Sequence, residues 1–466
     1  MSDLSRYTPE HRAELERLLE TPAWQEALRS GLVDQVRAQK IPPGQTRNFI
    51  GTVVEQLLAL NQQRVEELVA GGLTDAERLL DELARWPADL EPPILSFLGL
   101  NLTARCNFDP RCIYCNQPWI EPGVDLEGWK QIIASATTAN QGAGPYIYMT
   151  GGEPLVLGEM LWGDEGLVSF ASQRGAAVNI NTNALEMTPT VALALIKAGL
   201  ARLHISLDTA DEAAQNHLFG GERMGRVLEG IYNVQLAREL VGVAYPEIHT
   251  NCVLTNQNLD AFPELMALLL EKRGQVTGRG QPLADDLLPH VIPVGGASNT
   301  GLRPDAEAFR RFFAEIWPRA GQLWDEYQER LGVPKDQRRV LFGYFSNPFL
   351  RVEHQGGIDA YIESAATGRY GELALSRHCY VAPTQASFSP DGLQFRCGSH
   401  AIRRLQPLGN IADAGLHTHS RAGIPSLDAL PTQEHCYGCA LATLYINQAV
   451  EKELQKKVGE LLQVPR

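Results

Sequence analysis

The stretch CNFDPRCIYC, residues 106–115, places three cysteines within ten residues and governs how the rest of the sequence is interpreted. It follows a short apolar segment, Ser96–Leu102, that predicts a β-strand, so we expect the cysteines in a loop at the end of that strand. Thiolates are preferred ligands of iron–sulfur clusters, and three in one loop can hold three irons of a cubane while leaving the fourth iron open. The alternatives are a zinc site that lacks its fourth ligand and three unrelated core cysteines.

A second motif, MTGGEP at residues 149–154, closes the next predicted strand, Pro145–Thr150. Gly151 and Gly152 would let the backbone approach a bound amino-acid moiety closely, and Glu153 offers a carboxylate for its ammonium group. Taken alone, the motif also fits an ordinary strand–helix turn. Its position after a cysteine loop and a strand favours ligand binding.

Short apolar strands alternate with helices from Leu95 onward. Repeated units of this kind predict an α/β fold with a parallel sheet, and six strands predict a partial (β/α)6 barrel that resembles part of a TIM barrel. The predicted strands are Ser96–Leu102, Pro145–Thr150, Ala177–Thr182, Arg202–Leu207, Glu247–Leu254 and Pro289–Pro293. The helices predicted between and after them include Thr190–Ala198, Gly225–Leu240, Leu259–Lys272 and Asp305–Leu331.

Polar residues alternate along two neighbouring predicted strands, so they should share the face that points into the barrel. They are His204, Ser206 and Asp208 on one strand and Asn179, Asn181 and Asn183 on the strand before it. His204 fits either the wall of a substrate pocket or a hydrogen-bonded structural position.

Together these motifs resemble the core of the radical S-adenosylmethionine (SAM) superfamily over residues 95 to about 300. The resemblance implies that a 4Fe-4S cluster binds SAM and cleaves it reductively to a 5′-deoxyadenosyl radical. It implies Cys106, Cys112 and Cys115 as the cluster ligands. The implied SAM contacts are Tyr114, Thr150, Gly151, Gly152, Glu153, Pro154, Asn181, Thr182, Asn183, Ser206 and Asp208. The loop departs from the family's commonest CxxxCxxC spacing by two additional residues between the first two cysteines.

Four later cysteines form a second group, Cys379, Cys397, Cys436 and Cys439. The turn sequence at Ser389–Gly392 predicts a β-hairpin between the first two. Two cysteines from a hairpin and two from a CxxC can complete a four-ligand site, and a zinc ribbon is the alternative. The group resembles the twitch/SPASM extensions of the radical SAM family, which implies an auxiliary 4Fe-4S cluster. No cysteine follows Cys439, which matches the twitch type, and the layout resembles that of cyclitol dehydrogenases of aminoglycoside biosynthesis.

A fully ligated auxiliary cluster is suited to electron transfer, so we expect a SAM-dependent oxidoreductase. The expected substrate is a small aminocyclitol- or sugar-like metabolite. The alternative is a maturase that installs a thioether or carbon–carbon crosslink in a ribosomally made peptide. The all-helical N-terminal region lacks the strands of a leader-peptide-binding domain and of a cobalamin-binding domain. An iron–sulfur sensor would not need the GGEP motif. The family expectation for the reductant is a flavodoxin or ferredoxin.

The net charge of −14 argues against a nucleic-acid partner, and no apolar run is long enough to span a membrane, so we expect a cytoplasmic protein. The predicted organisation is a helical N-terminal region (1–95), the barrel (96–330), a connecting segment (331–378), the auxiliary cluster domain (379–440) and a C-terminal helix (441–466). The remaining cysteine, Cys252, is expected to be a buried structural thiol, with hydrogen-atom donation as the alternative. The sequence identifies no catalytic acid or base.

Overall fold

The structure is a computed structural model that describes residues 8–29, 45–86, 95–139, 144–271, 290–293, 301–338, 357–367, 376–380, 382–411 and 441–463. None of the helices in these ranges combines the length and the apolar character needed to cross a lipid bilayer.

A nine-stranded sheet forms the centre of the molecule, in the order β6-β5-β4-β3-β2-β1-β7-β8-β9. The strands are β1 Phe97–Thr103, β2 Tyr146–Gly151, β3 Ala177–Thr182, β4 Arg202–Ser206, β5 Glu247–Leu254, β6 His290–Pro293, β7 Gln385–Phe388, β8 Leu393–Phe395 and β9 Gly409–Asn410. Strands β1 to β6 are all parallel to their neighbours, and the sheet is not closed. The predicted α/β fold with a six-stranded partial barrel is therefore confirmed.

Helices follow most of the barrel strands, and further helices precede the barrel or come after it in the chain. They are α1 Thr8–Leu19, α2 Pro22–Arg29, α3 Gln45–Ala70, α4 Ala76–Leu83, α5 Leu126–Ala139, α6 Glu159–Trp162, α7 Leu167–Ser172, α8 Pro189–Lys197, α9 Glu212–Leu218, α10 Met224–Val241, α11 Phe262–Glu271, α12 Ala306–Arg311, α13 Trp317–Arg330, α14 Gly357–Thr367, α15 Gly398–Arg403 and α16 Leu441–Gln463. A π-helical turn at Phe312–Ile316 joins α12 to α13.

Strand alternation determines which residues face the helices. Leu98, Ile147, Ile180 and Leu203 occupy the outer face and are fully or almost fully buried in the main hydrophobic core. Their burial against helices drives formation of the sheet, because each such side chain contributes on the order of 2 kcal/mol when removed from water. The intervening residues on the same strands are mostly polar and lie on the inner face.

The predicted hairpin is present as β7 and β8, which pair in antiparallel fashion around the turn at Ser389–Gly392. Gly392 has a φ of +84°, a conformation that favours glycine. Strand β7 also pairs in parallel with β1, on the side opposite β2. The hairpin thereby continues the barrel sheet beyond its first strand.

The N-terminal helices divide between two hydrophobic cores. Leu15 of α1 and Trp24 of α2 belong to the main core around the barrel. Leu57 of α3 and Leu79 of α4 instead pack with α16 and with Tyr380 in a second, separate core. The described helices of the N-terminal region therefore contribute to both cores, α1 and α2 to the main core and α3 and α4 to the second.

Candidate functional site

The loop with Cys106, Cys112 and Cys115 leaves the carboxyl end of β1. The backbone N–H of Phe108 donates to Cys106 Sγ at 3.4 Å, and the N–H of Cys115 donates to the carbonyl of Cys112 at 2.9 Å. Burial raises the pKa of Cys106, and it raises the pKa of Cys112 to about 12. A thiolate at Cys112 thus needs a compensating positive charge, such as bound iron supplies, so the donor set fits a cluster. Within the described part of the chain, no three Cys, His, Asp or Glu side chains converge on a single ion.

Arg223 fastens the longer first half of this loop to the start of α10. Its Nη2 donates to the carbonyl of Asp109 and its Nη1 to the carbonyl of Pro110, both at 2.8 Å. The guanidinium also lies 4.2 Å from the ring centroid of Phe108. Arg111 anchors the loop from within, because its Nη2 donates to the carbonyl of Ala104 at 2.7 Å. The longer segment between Cys106 and Cys112 is thereby hydrogen-bonded to the barrel, which the sequence did not predict.

Asp208 connects the loop to two neighbouring strands. Tyr114 Oη donates to Asp208 Oδ2 at 2.6 Å, Gln215 Nε2 donates to the same oxygen at 3.2 Å, and the N–H of Val253 donates to Oδ1 at 2.7 Å. Burial raises the pKa of Asp208 to about 6 even though these donors favour the carboxylate. The buried thiol of Cys252 donates to the Asp208 carbonyl at 3.3 Å, as a structural position would. Asp208 therefore already has several protein partners, and its contact with SAM stays a prediction.

Gly151 and Gly152 are required by the backbone of the first strand and its loop. A Cβ on Gly151 would lie 2.2 Å from the Thr103 carbonyl oxygen, and a Cβ on Gly152 would lie 2.0 Å from the Arg105 carbonyl oxygen. The N–H of Gly152 donates to the Thr103 carbonyl at 2.7 Å. Both glycines are therefore required by close contact with the backbone at the start of the cysteine loop, whereas the sequence predicted close contact with a ligand.

The Glu153 carboxylate is buried and bonded to protein donors. Its Oε1 accepts from the N–H of Leu155 at 2.9 Å and from Thr182 Oγ1 at 2.7 Å, and its Oε2 accepts from the N–H of Asn183 at 2.7 Å. Burial nevertheless raises its pKa to about 7. These bonds join the end of β2 to the end of β3, and the Thr182 hydroxyl is bonded to Glu153.

The other predicted residues at this end of the sheet lie around the same loop. Asn183 Nδ2 donates to Asn107 Oδ1 at 2.8 Å and lies 3.9 Å from Cys106 Sγ. Thr150 is near the end of β2, and Pro154 begins a short 3₁₀ helix. The structure therefore brings Asn183 to the first cysteine.

A row of polar side chains lines the inner face across β3, β4 and β5. Asn251 Nδ2 donates to Asn181 Oδ1 at 2.6 Å, and His204 Nδ1 lies 3.0 Å from Asn251 Oδ1, which makes the histidine nitrogen the donor. The ring of His204 stacks on that of His249, with centroids 5.0 Å apart and planes inclined by 13°. Ser206, the last residue of β4, is paired in register with Asn251. The predicted inward direction of Asn181 and His204 agrees with these contacts.

The second cysteine group is described only in part. Cys379 is partly buried against the second core, and Asn447 Nδ2 of α16 lies 3.5 Å from its Sγ. Cys397 is the N-cap residue of α15. Cys436 and Cys439 lie outside the described residues, so the four-ligand site stays a prediction.

Comparison with known proteins agrees with this geometry. Residues 100–269 match the family model described as "Radical SAM superfamily", and this range contains the cysteine loop, the GGEP motif and the polar strands. The chain therefore carries a radical SAM domain.

Curated relatives resemble the same region. One is "GTP 3′,8-cyclase" of Marinobacter nauticus, 30% identical over 190 residues that cover 39% of this chain and 53% of the relative. Another is "Tungsten-containing aldehyde ferredoxin oxidoreductase cofactor-modifying protein" of Pyrococcus furiosus, 29% identical over 199 residues that cover 42% of this chain and 52% of the relative. The chain thus spans about half the length of the curated relatives it matches.

Solved structures with a similar arrangement include SuiB of Streptococcus suis bound to S-adenosylmethionine, at 15% identity and a TM-score of 0.47, with coverage of 76% of this chain and 70% of that one. The enzyme anSMEcpe with bound AdoMet and a Cp18Cys peptide has 14% identity and a TM-score of 0.49, with coverage of 79% of this chain and 100% of that one.

Proposed function

We propose that the protein is a radical SAM oxidoreductase that removes hydrogen from a small aminocyclitol- or sugar-like metabolite and oxidises the resulting radical through an auxiliary 4Fe-4S cluster. The observation that carries the proposal is the position of the three-cysteine loop. It lies at the carboxyl end of the parallel sheet, beside the GGEP turn and above an inner face lined by polar side chains. In parallel barrels, reactive groups are supplied from this end.

Cys106, Cys112 and Cys115 would hold the first cluster, and Cys379, Cys397, Cys436 and Cys439 the second. When bound, the clusters would supply one-electron chemistry: reductive cleavage of SAM to methionine and the 5′-deoxyadenosyl radical at the first, with a flavodoxin- or ferredoxin-type protein as electron donor, and acceptance of one electron from the substrate radical at the second. The substrate thus loses one hydrogen atom to 5′-deoxyadenosine, one electron and one proton, a two-electron oxidation.

The chain's own residues position SAM and the cluster loop. The N–H groups of Gly152 and Glu153 are already bonded to the carbonyls of Thr103 and Arg105, so the GGEP turn and the cysteine loop form one connected backbone unit. Asn181 and Ser206 remain our proposed side-chain contacts with SAM on the inner face. Tyr114, held by Asp208, fixes the orientation of the loop between Cys112 and Cys115.

The proposal is tested by counting iron and sulfide in protein reconstituted without oxygen. We expect about eight irons per chain in the wild type and about four in the Cys106→Ala/Cys112→Ala/Cys115→Ala variant. With dithionite and SAM, only the wild type should form 5′-deoxyadenosine. Cys252→Ala is the matched control, because this buried thiol lies outside both ligand groups, and it should keep all the iron.

Each part of the proposal can fail separately. A wild type that never forms 5′-deoxyadenosine contradicts the radical SAM activity. About four irons together with one zinc in the wild type contradicts the auxiliary electron acceptor while leaving SAM cleavage in place. Crosslinking of a peptide in place of oxidation of a small metabolite would favour the maturase alternative.

A further inference from the structure

We infer that the deep inner face of the barrel binds a neutral, polyhydroxylated compound, and that the carboxamide of Asn179 is its innermost hydrogen-bonding group. This inference rests on the proposed function and narrows its substrate class. It is carried by two buried polar side chains on the same level of the sheet, and by the charges that surround them.

Strand register places Asn179 in the interior, one level below Asn181. Asn179 of β3 is paired with Tyr148 of β2 and with Arg202 of β4. Paired residues on parallel strands share a face, and Asn181, two residues further on, bonds to Asn251 on the inner face. Asn179 therefore points to the same side as Asn181.

Asn179 has unmet hydrogen-bonding capacity. Its side chain is fully buried, with an exposed fraction of 0%, yet neither Oδ1 nor Nδ2 has a hydrogen-bond partner among the described residues. A carboxamide offers two donors and one acceptor oxygen, and leaving them unsatisfied in the interior is unfavourable. Such a group is expected where a ligand supplies the missing partners.

The hydroxyl of Ser387, which β1 and β2 separate from Asn179, is buried in the same way. Ser387 of β7 is paired with Gly99 of β1, which is paired with Tyr148 of β2, so Ser387 and Asn179 occupy one level of the sheet. Ser387 Oγ is also buried without a partner among the described residues. At Gly99 any Cβ would lie 2.8 Å from Ser387 Oγ, so the glycine makes room for this hydroxyl on the inner face.

The charges of the inner face favour a neutral ligand. The cation Arg202 is paired with Glu247 at 2.9 Å, and His249 Nε2 lies 3.3 Å from the same carboxylate oxygen. Both members of this ion pair are thus compensated within the protein. Phosphates are bound mainly by arginine and lysine, whereas amides and serine hydroxyls exchange hydrogen bonds well with hydroxyl groups.

GTP, which the name of the relatives called GTP 3′,8-cyclase mentions, carries a triphosphate. The inner-face groups described above are Asn179, Ser387 and a compensated ion pair. They suit a ring with several hydroxyl groups better than a polyphosphate.

The test uses reconstituted full-length protein with SAM and two probes, myo-inositol and myo-inositol 1-phosphate. Equilibrium dialysis should show that myo-inositol binds at least tenfold more tightly than its phosphate ester. Asn179→Leu should weaken myo-inositol binding tenfold or more. The same substitution should leave the melting temperature unchanged or raise it, because it removes an unsatisfied buried amide.

Asn61→Leu is the matched control. Asn61 is also buried, but its Nδ2 donates to the carbonyls of Leu57 at 3.0 Å and Arg85 at 2.6 Å, and it lies on α3, which packs in the second core. We expect this substitution to lower the melting temperature and to leave myo-inositol binding unchanged.

Three results would overturn the inference: no binding of myo-inositol to the wild type, equal or tighter binding of the phosphate ester, or an Asn179→Leu variant that melts earlier and binds as the wild type does. SAM cleavage in the same samples separates this inference from the proposed function. Formation of 5′-deoxyadenosine without polyol binding would contradict the inferred substrate class alone. If no 5′-deoxyadenosine forms, the proposed radical SAM activity is contradicted as well.

Discussion

Replacing Tyr114 by phenylalanine removes one atom from the connection between the cysteine loop and the sheet. Tyr114 Oη donates to Asp208 Oδ2 at 2.6 Å inside a buried site, and Asp208 keeps the N–H of Val253 and Nε2 of Gln215 as donors. A hydrogen bond to a charged group typically contributes about 1.5–3 kcal/mol. Because two donors remain, we expect Tyr114→Phe to lower the free energy of unfolding by about 2 kcal/mol.

The assay is urea unfolding of the apo protein, followed by far-UV circular dichroism, in a double-mutant cycle with Asp208→Asn. If the two groups interact as the structure shows, their coupling free energy should be about 1.5–3 kcal/mol. Tyr245→Phe serves as the control, since the hydroxyl of this partly exposed ring makes no comparable bond to the residues that the structure describes, and the substitution should change stability by less than about 0.5 kcal/mol.

The same variant should bind iron less completely, because the loop between Cys112 and Cys115 is no longer fixed to Asp208. A coupling free energy below about 0.5 kcal/mol, together with full iron content, would refute the view that this bond positions the loop.

Three further predictions concern the same end of the sheet. Gly152→Ala should abolish iron binding by the first cysteine group, measured as iron per chain, because its Cβ would lie 2.0 Å from a carbonyl oxygen. As the control, Gly321→Ala changes a helical residue with open space around it and should stabilise the protein by about 0.5–1 kcal/mol. Normal iron binding by Gly152→Ala would contradict the argument. Arg223→Lys should lower the iron content, because the paired bonds to the carbonyls of Asp109 and Pro110 are lost. The control Arg226→Lys replaces an exposed arginine bonded to one carbonyl at 3.1 Å and should leave the iron content unchanged. Equal iron in both variants would argue against a positioning role for Arg223. Since the pKa of Glu153 is raised to about 7, its contribution to stability is present at low pH and is lost as pH rises through 7. The free energy of unfolding of the wild type should therefore fall by about 2 kcal/mol between roughly pH 5.5 and pH 8, and Glu153→Gln should lack this fall. The same pH slope in the variant and the wild type would show that Glu153 is not responsible.

The barrel could be predicted from the sequence because its determinants are local. Apolar residues repeat at every second position within a strand, as Leu98, Leu100 and Leu102 do in β1, and the predicted bounds of β3 and β5 match those in the structure. The positions of the cysteine loop and the GGEP turn at strand ends are predictable for the same reason, because each motif directly follows such a strand in the sequence.

Features that depend on distant contacts could not be predicted in this way. Arg223 reaches a loop more than 100 residues earlier in the chain, and nothing in its local sequence marks it as a partner of Asp109. The packing of α3 and α4 against α16 likewise brings together helices that are far apart in sequence.

One predicted helix also differs in a local detail. The single helix predicted over Asp305–Leu331 contains a π-helical turn just before Pro318. Proline has no N–H to donate to the preceding turn, so the helix widens there instead of continuing regularly.

The pairing of β1 with both β2 and β7 has a consequence for how the chain must be synthesised and folded. Until residues 385–388 have left the ribosome, one side of β1 presents unpaired N–H and C=O groups, even though the six-stranded part of the sheet can already form. Open strand edges of this kind recruit other chains. A truncated protein that ends after the barrel should therefore associate through β1, and nascent chains would be most vulnerable to aggregation in the interval between completing β6 and adding β7.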